Sequence, residues 1–113
     1  MILINTSILG EVLQISNLVE MGIIEVLVYS LEMPENFKFL ENLIDGLDNI
    51  FYWGEIIKEN VDLTQNPFVK NFEEIGGLKK ILEIEEKIES DDFFNKIESL
   101  ITKYFNEKKL LNN

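Results

Sequence analysis

Carboxylates are the most numerous side chains of this chain that could do chemistry, and its 113 residues include neither His nor Cys. Without these two residue types there is no thiol nucleophile, no disulfide and no imidazole base that titrates near neutral pH. A zinc site would have to be built from carboxylates alone, which is improbable. The composition therefore disfavours redox, nucleophilic and zinc-dependent chemistry, and we expect no cofactor and no metal.

Two groups of carboxylates are spaced closely enough to act together: Asp45, Asp48 and Glu55, and the four Glu within residues 83–89. Either group could supply a general acid and base or hold a cation, but no nucleophile or electrophile accompanies them. Residues 91–92 lack the sharp Gly turn of a calcium loop. A chain of net charge −11 produces such spacings on any solvated helix face. We interpret both groups as solvated and predict that the protein is not an enzyme.

The charge balance also bears on partners. The chain carries 21 acidic residues against 10 basic ones, whereas nucleic acids and anionic membranes attract clustered Lys and Arg. No apolar run approaches the roughly 18 residues of a membrane span. We therefore expect no nucleic acid and no membrane as partner, and a basic protein as the electrostatic complement. The lack of Cys and of a signal peptide predicts a reducing, intracellular compartment.

Apolar residues recur at three- and four-residue steps along the chain, which predicts an all-α fold. A segment from residue 23 to 31 could also be a buried strand, but no second strand-like run exists to pair with it. Asn66 and Pro67 predict a helix start with Asn66 as cap and Pro67 at the first position. The predicted helices end or begin near Gly22, at a loop over residues 60–66, at Gly76 and at Ser90.

The chain contains an internal repeat. Residues 19–27 resemble residues 73–81, and the same offset, within a residue, places 40–53 on 94–107. The repeating unit is a helix, a Gly, a short helix, a break and a long helix. Without the inserted loop its period is about 40–45 residues, which is typical of armadillo and HEAT solenoids.

Three blocks extend this pattern to a known family. Residues 14–24 (QISNLVEMGII) resemble the second helix and Gly corner of an armadillo repeat in the importin-α family. Residues 46–55 (GLDNIFYWGE) resemble its penultimate repeat, and residues 66–81 (NPFVKNFEEIGGLKKI) resemble the opening of its last repeat. Tyr104-Phe105 is similar to the end of its final long helix. The resemblance covers roughly residues 1–108.

The resemblance implies a right-handed α–α superhelix, an armadillo-type solenoid fragment of about two repeats plus the end of a third. We expect the end of a truncated repeat at 1–21, a penultimate repeat at 22–59 and a last, capping repeat at 66–108. The family carries nuclear localisation signals into the nucleus and is returned by a dedicated exportin. The implied function is a protein-binding module of a nuclear import adaptor, present in cytoplasm and nucleus.

In that family, cargo lies in a groove where Asn side chains bond the cargo backbone and Trp rings form slots for Lys and Arg. Carried over, Asn49 falls on the Asn position of the penultimate repeat, but Asp45 stands at its Trp position. Asn5 falls on the Asn of the preceding repeat, with Met1 at the Trp position. Both Asn are therefore candidate peptide-binding residues. The alternative is that they are surface Asn in an Asn-rich chain, and this alternative is the stronger one for Asn5, which sits near a terminus.

Trp53, the only Trp, lies one turn beyond Asn49 on the same helix face. It is either a shifted cation slot in a peptide-binding site or a partly buried packing residue. Lys79 and Lys80, within the densest block of resemblance, are the candidate contacts for a recycling exportin. The alternative is that they keep a capping repeat soluble.

Two further expectations concern what the chain lacks. Without a groove Trp, binding of a basic localisation peptide should be weak. The absence of groove Trp and of a basic importin-β-binding segment favours an alternative function, a reduced armadillo-type scaffold that has lost cargo transport. The N-terminal end should expose apolar side chains and could self-associate; these are Ile2, Leu3, Ile4, Ile8 and Leu9.

Overall fold

The computed structural model describes residues 6–32 and 37–112, and the side chains of residues 10–32 and 38–105. Every regular element among these residues is a helix, so the predicted all-α fold is confirmed. The segment that could have been a strand is helical. The six helices are α1 (Thr6–Glu20), α2 (Ile23–Ser30), α3 (Phe37–Asn60), α4 (Pro67–Glu74), α5 (Gly77–Lys87) and α6 (Asp91–Asn112).

The sequence repeat corresponds to a repeat of backbone geometry at two glycine corners. Gly22 and Gly76 have φ angles of 93° and 87°, in the left-handed region that favours glycine. In each corner the glycine N–H donates to a carbonyl three residues earlier, that of Val19 or Glu73, at 3.0 Å. These bonds satisfy carbonyls at the end of the preceding helix. The two halves of the chain therefore turn in the same way at equivalent positions.

The two long helices, α3 with 24 residues and α6 with 22, pack against each other. α4 packs on both α3 and α2, and α5 packs on α4 and α6. This arrangement of six helices is consistent with an armadillo-like fold, in which each repeat buries its apolar face against its neighbour. The repeat boundaries at 22–59 and 66–108 remain a prediction.

Asn66 begins α4, as expected, and also attaches it to α3. Its side-chain oxygen accepts from the N–H groups of Phe68 at 3.0 Å and Val69 at 3.2 Å, which is an N-cap. Its amide nitrogen donates to the Phe51 carbonyl at 2.8 Å and to Glu55 Oε2 at 2.9 Å. One buried side chain therefore satisfies a helix start and joins two helices.

Phe51 lies at the centre of the core and is fully buried. Its ring meets those of Phe72 and Tyr104 edge to face at 5.2 Å, and that of Phe105 at 5.8 Å. It therefore joins α3 to both α4 and α6. The other fully buried large side chains are Phe72, Phe93, Phe105, Ile24, Leu40, Ile44, Leu47, Ile81, Ile97 and Ile101.

Gly77, at the start of α5, is required by a close approach of Phe72. A Cβ at position 77 would lie 2.4 Å from the Phe72 ring, which is itself fully buried. We expect Gly77→Ala to lower the free energy of unfolding by about 1–3 kcal/mol through overpacking. Urea denaturation followed by circular dichroism measures the loss.

Gly46→Ala is the matched control, because Gly46 lies within α3 and nothing lies within 4 Å of its added Cβ. This variant should gain about 0.5–1 kcal/mol from the higher helix propensity of Ala. Equal stability of the Gly77→Ala variant and the unmodified chain would show that the approach of Phe72 is not tight.

Several large apolar side chains of α1 and α2 are exposed, including those of Leu13, Val26 and Tyr29. Within the described residues, no single helix is long and apolar enough to cross a membrane. The segments Gly10–Glu20 and Ile23–Ser30 meet that criterion only as a pair, across a bend of 64°. The N-terminal apolar residues that we expect to be exposed, at positions 2–4, 8 and 9, lie outside the described side chains.

Candidate protein-binding surfaces

A cleft of about 360 Å³ lies between the long helices α3 and α6. α3 contributes Asp45 and Asp48 to its lining, and α6 contributes Asp92, Asn95 and Lys96. Because the two helices pack side by side, these polar side chains meet along the line of contact above the apolar core. The family resemblance predicts a peptide groove along the third helix of each unit, and α3 and α6 are the third helices of the two units here.

The carboxylates of α3 in this cleft are paired with lysines of α6. Lys96 Nζ lies 3.1 Å from Asp45 Oδ1 and 3.2 Å from its Oδ2. Lys103 Nζ lies 2.9 Å from Asp48 Oδ1. The Tyr104 hydroxyl donates to the same Asp48 oxygen at 3.3 Å. Both carboxylates already have cationic partners within the chain.

Tyr104 lies beside the Asp48–Lys103 ion pair, and its surroundings raise its pKa. Burial of its ring, followed by the negative charge of Asp48 and the hydrogen bond to it, raises the pKa of Tyr104 to about 12. The hydroxyl is therefore protonated at physiological pH and acts as a donor. The centre of its ring lies 5.7 Å from Lys103 Nζ. The phenol and the ammonium group both donate to the same Asp48 oxygen.

Asn49 and Trp53 lie on α3, one turn apart, as expected from their spacing. The Asn49 side chain is exposed, and the Trp53 ring is half-buried and packs against the hydrophobic core. Trp53 also meets the exposed Tyr52 edge to face, with ring centroids 5.3 Å apart. Packing thus accounts for part of the Trp53 surface, and the peptide-binding roles of both residues remain predictions. Asn5 lies outside the described residues.

Lys79 and Lys80 are consecutive on α5 but have different surroundings. Lys79 is exposed and borders a cavity of about 510 Å³, whose lining also includes Leu82, Glu83 and Glu86. Lys80 is half-buried and forms an ion pair with Glu32, which follows α2. Lys80 therefore connects the two halves of the chain, whereas Lys79 is presented to solvent. Their binding to a partner remains a prediction.

The residue types alone did not single out Lys96 and Lys103. They lie seven residues apart, about two helical turns, and so share one face of α6. The internal repeat could have indicated them, because its offset of 54 makes Ser99 of α6 the equivalent of Asp45 of α3, and equivalent helices of stacked repeats lie side by side. Lys96 and Lys103 lie one turn before and one turn after Ser99. The register of the repeat would therefore have placed both lysines beside the acidic residues of α3.

Among the described residues, no group of three or more Asp or Glu side chains is arranged to hold a metal ion. No model of a known protein family matches the chain. Over 92 residues, 81% of its length, the chain is 34% identical to importin subunit alpha of Saccharomyces cerevisiae. The match covers 17% of that protein, so the chain spans about a sixth of the length of this relative. The identity to importin subunit alpha supports a relationship between the chain and importin-α proteins.

Proposed function

We propose that the chain is a non-enzymatic protein-binding module, equivalent to the C-terminal repeats of an importin-α-like nuclear import adaptor. The observation that carries the proposal is the 34% identity to importin subunit alpha across 92 residues. The two equivalent glycine corners and the paired long helices support it, because stacked armadillo repeats need the same turn in every unit. On this assignment the repeats are 1–21, 22–59 and 66–108, and the protein acts in cytoplasm and nucleus.

The proposed principal partner is an exportin of the type that recycles importin-α, bound through the last repeat. Lys79 supports this choice, because it is exposed beside a cavity whose lining combines Leu82 with Glu83 and Glu86. A surface of mixed charge around apolar side chains favours orientation and specificity over affinity alone. Basic localisation peptides are proposed as weaker ligands, bound beside Asn49 and Trp53.

A second candidate function is a reduced armadillo-type scaffold that has lost cargo transport. The observation that favours it is that the acidic side chains of α3 in the α3–α6 cleft are paired with lysines of α6. Asp45 stands at the Trp position of the penultimate repeat, a repeat that is also degenerate in the family, and its carboxylate is paired with Lys96 at 3.1 Å. A groove without a Trp ring at this position and with its α3 carboxylates already paired provides few contacts for the lysines of a cargo peptide. The two candidates differ in whether a transport receptor still binds the chain.

Affinity capture from a lysate of the source cells tests the proposed partner. The chain is used as bait, and retained proteins are identified and quantified by mass spectrometry. We expect an exportin to be enriched on the unmodified chain. Lys79→Glu should reduce that enrichment about tenfold, because it reverses a charge at the proposed contact. Lys80 is left intact because its ion pair with Glu32 contributes to the internal structure.

Lys87→Glu is the control, since Lys87 is another exposed lysine of α5 and the substitution changes the net charge equally. This variant should retain the exportin. Equal loss with both variants would indicate a general charge effect rather than a site at Lys79. Absence of any exportin on the unmodified chain would favour the scaffold function instead.

A further inference from the structure

We propose that Lys96 and Lys103 are specificity-determining residues that exclude lysine-rich segments from the α3–α6 cleft by pairing within the chain with Asp45 and Asp48. The inference rests on the proposed function in one respect, since it takes this cleft to be a peptide-binding face. It adds a property that neither the resemblance nor the similarity to importin subunit alpha supplies: the cations that satisfy the acidic groups belong to the protein itself.

Both α3 carboxylates of the cleft are already engaged by lysines of the chain itself. Lys96 contacts both oxygens of Asp45, at 3.1 and 3.2 Å. On Asp48, one oxygen accepts from Lys103 at 2.9 Å and from the Tyr104 hydroxyl at 3.3 Å. A ligand lysine would therefore share each carboxylate with a chain lysine of the same charge, and it would gain less there than at an unpaired carboxylate.

The pairs also determine the local charge. Three carboxylates line the cleft, those of Asp45, Asp48 and Asp92, and the two lysines offset two of them. The overall charge of −11 still attracts a basic peptide at long range. At physiological salt that attraction is screened beyond about 8 Å, so the contacts within the cleft decide whether the peptide stays bound.

The two acids share one face of their helix, and the two lysines share one face of theirs. Asp45 and Asp48 are three residues apart on one face of α3, and Lys96 and Lys103 are seven residues apart on one face of α6. The third ion pair between the two halves, Glu32 with Lys80, also has its acid in the first half and its lysine in the second. The same charge polarity thus recurs at each of the ion pairs described between these halves.

The test measures the affinity of a lysine-rich peptide for the double variant Lys96→Gln/Lys103→Gln. The probe is a fluorescein-labelled peptide of five consecutive lysines flanked by glycines, and the readout is fluorescence anisotropy at 150 mM salt. We expect weak binding by the unmodified chain and about tenfold tighter binding by the double variant, because two carboxylates become available to pair with lysines of the peptide. Each single variant should gain about threefold.

The control is Lys70→Gln/Lys87→Gln, which changes the net charge equally on the exposed surfaces of α4 and α5. It should change the affinity less than twofold. Adding Asp45→Asn and Asp48→Asn to the Lys96/Lys103 variant should abolish the gain. The proposal is overturned if the double variant binds no tighter than the control, or if the gain survives loss of both acids.

Failure of this test can be told apart from failure of the proposed function. Exportin capture depends on Lys79 of α5, whereas the peptide measurement depends on α3 and α6. Retained exportin with an unchanged peptide affinity would overturn only the inference. An increased peptide affinity without exportin capture would support the inference and overturn only the proposed partner.

Discussion

Replacing Phe51 by alanine is expected to lower the free energy of unfolding by about 3–5 kcal/mol, the largest effect of any single substitution considered for this chain. Phe51 is fully buried and makes edge-to-face contacts with three other rings, those of Phe72, Tyr104 and Phe105. The substitution leaves a cavity and removes the contacts that join α3 to α4 and α6. A domain of this size has a total stability of about 5–15 kcal/mol, so the variant should be marginally folded at 25 °C.

Urea denaturation monitored by circular dichroism at 222 nm measures this loss. Tyr52→Ala is the control, because Tyr52 is the next residue of α3 and its side chain is 54% exposed. The control should lose less than about 1 kcal/mol, in keeping with surface substitutions. Similar losses for the two variants would show that Phe51 is not the centre of the core.

The second large effect concerns the contact of Gly54 with Asn66. A Cβ at position 54 would lie 2.0 Å from Asn66 Oδ1, so Gly54→Ala must displace the capping side chain. Asn66→Ala removes the cap, worth about 0.5–2 kcal/mol, and the bonds to Phe51 and Glu55, worth about 0.5–1.5 kcal/mol each. Each variant should lose about 2–4 kcal/mol.

A double-mutant cycle tests whether the two losses have one cause. The double variant Gly54→Ala/Asn66→Ala should be no less stable than Asn66→Ala, since the alanine at position 66 has no side-chain oxygen to clash with the new Cβ. The expected coupling energy is therefore about 2 kcal/mol or more. Additive losses would mean that the two residues act independently and that the close approach does not determine the position of α4.

The start of α4 shows how far the sequence could predict the fold. Asn66 followed by Pro67 predicts a capped helix start, and the cap is confirmed. The same amide also donates to the Phe51 carbonyl, 15 residues earlier, and no local pattern contains that bond. Gly54 could be recognised only as part of a family-like motif. Its physical role follows from the packing of α4 across α3, which periodicity does not determine.

The internal repeat could be predicted because its two glycine corners are visible in the sequence. Gly22 and Gly76 break the apolar periodicity, and both have the left-handed backbone that such a break requires. Side-chain partners were less predictable, because opposite charges on different helices meet only when the helices are packed. Asp45 and Asp48 have solvent-exposed side chains, in keeping with a solvated helix face, and they are also paired with Lys96 and Lys103. That pairing arises from tertiary packing and not from residue type.

For the candidate binding residues, too, the sequence predicts position on a helix but not burial or ion pairing. The spacing of Asn49 and Trp53 correctly predicts a shared helix face, but it could not determine how much of the Trp53 ring packs against the core. Lys79 and Lys80 are adjacent lysines, and the sequence alone does not distinguish their roles. Only the position of α5 beside Glu32 distinguishes them, because it engages Lys80 in an ion pair.

The proposed binding of a transport receptor by this chain is tested most directly by titration with the purified exportin. Isothermal calorimetry at physiological salt should give a saturable one-to-one complex with the unmodified chain and with Lys87→Glu. Lys79→Glu, shown to be folded by circular dichroism, should bind about tenfold more weakly. No detectable binding by the unmodified chain at tens of micromolar, with its helical spectrum intact, would contradict the proposal.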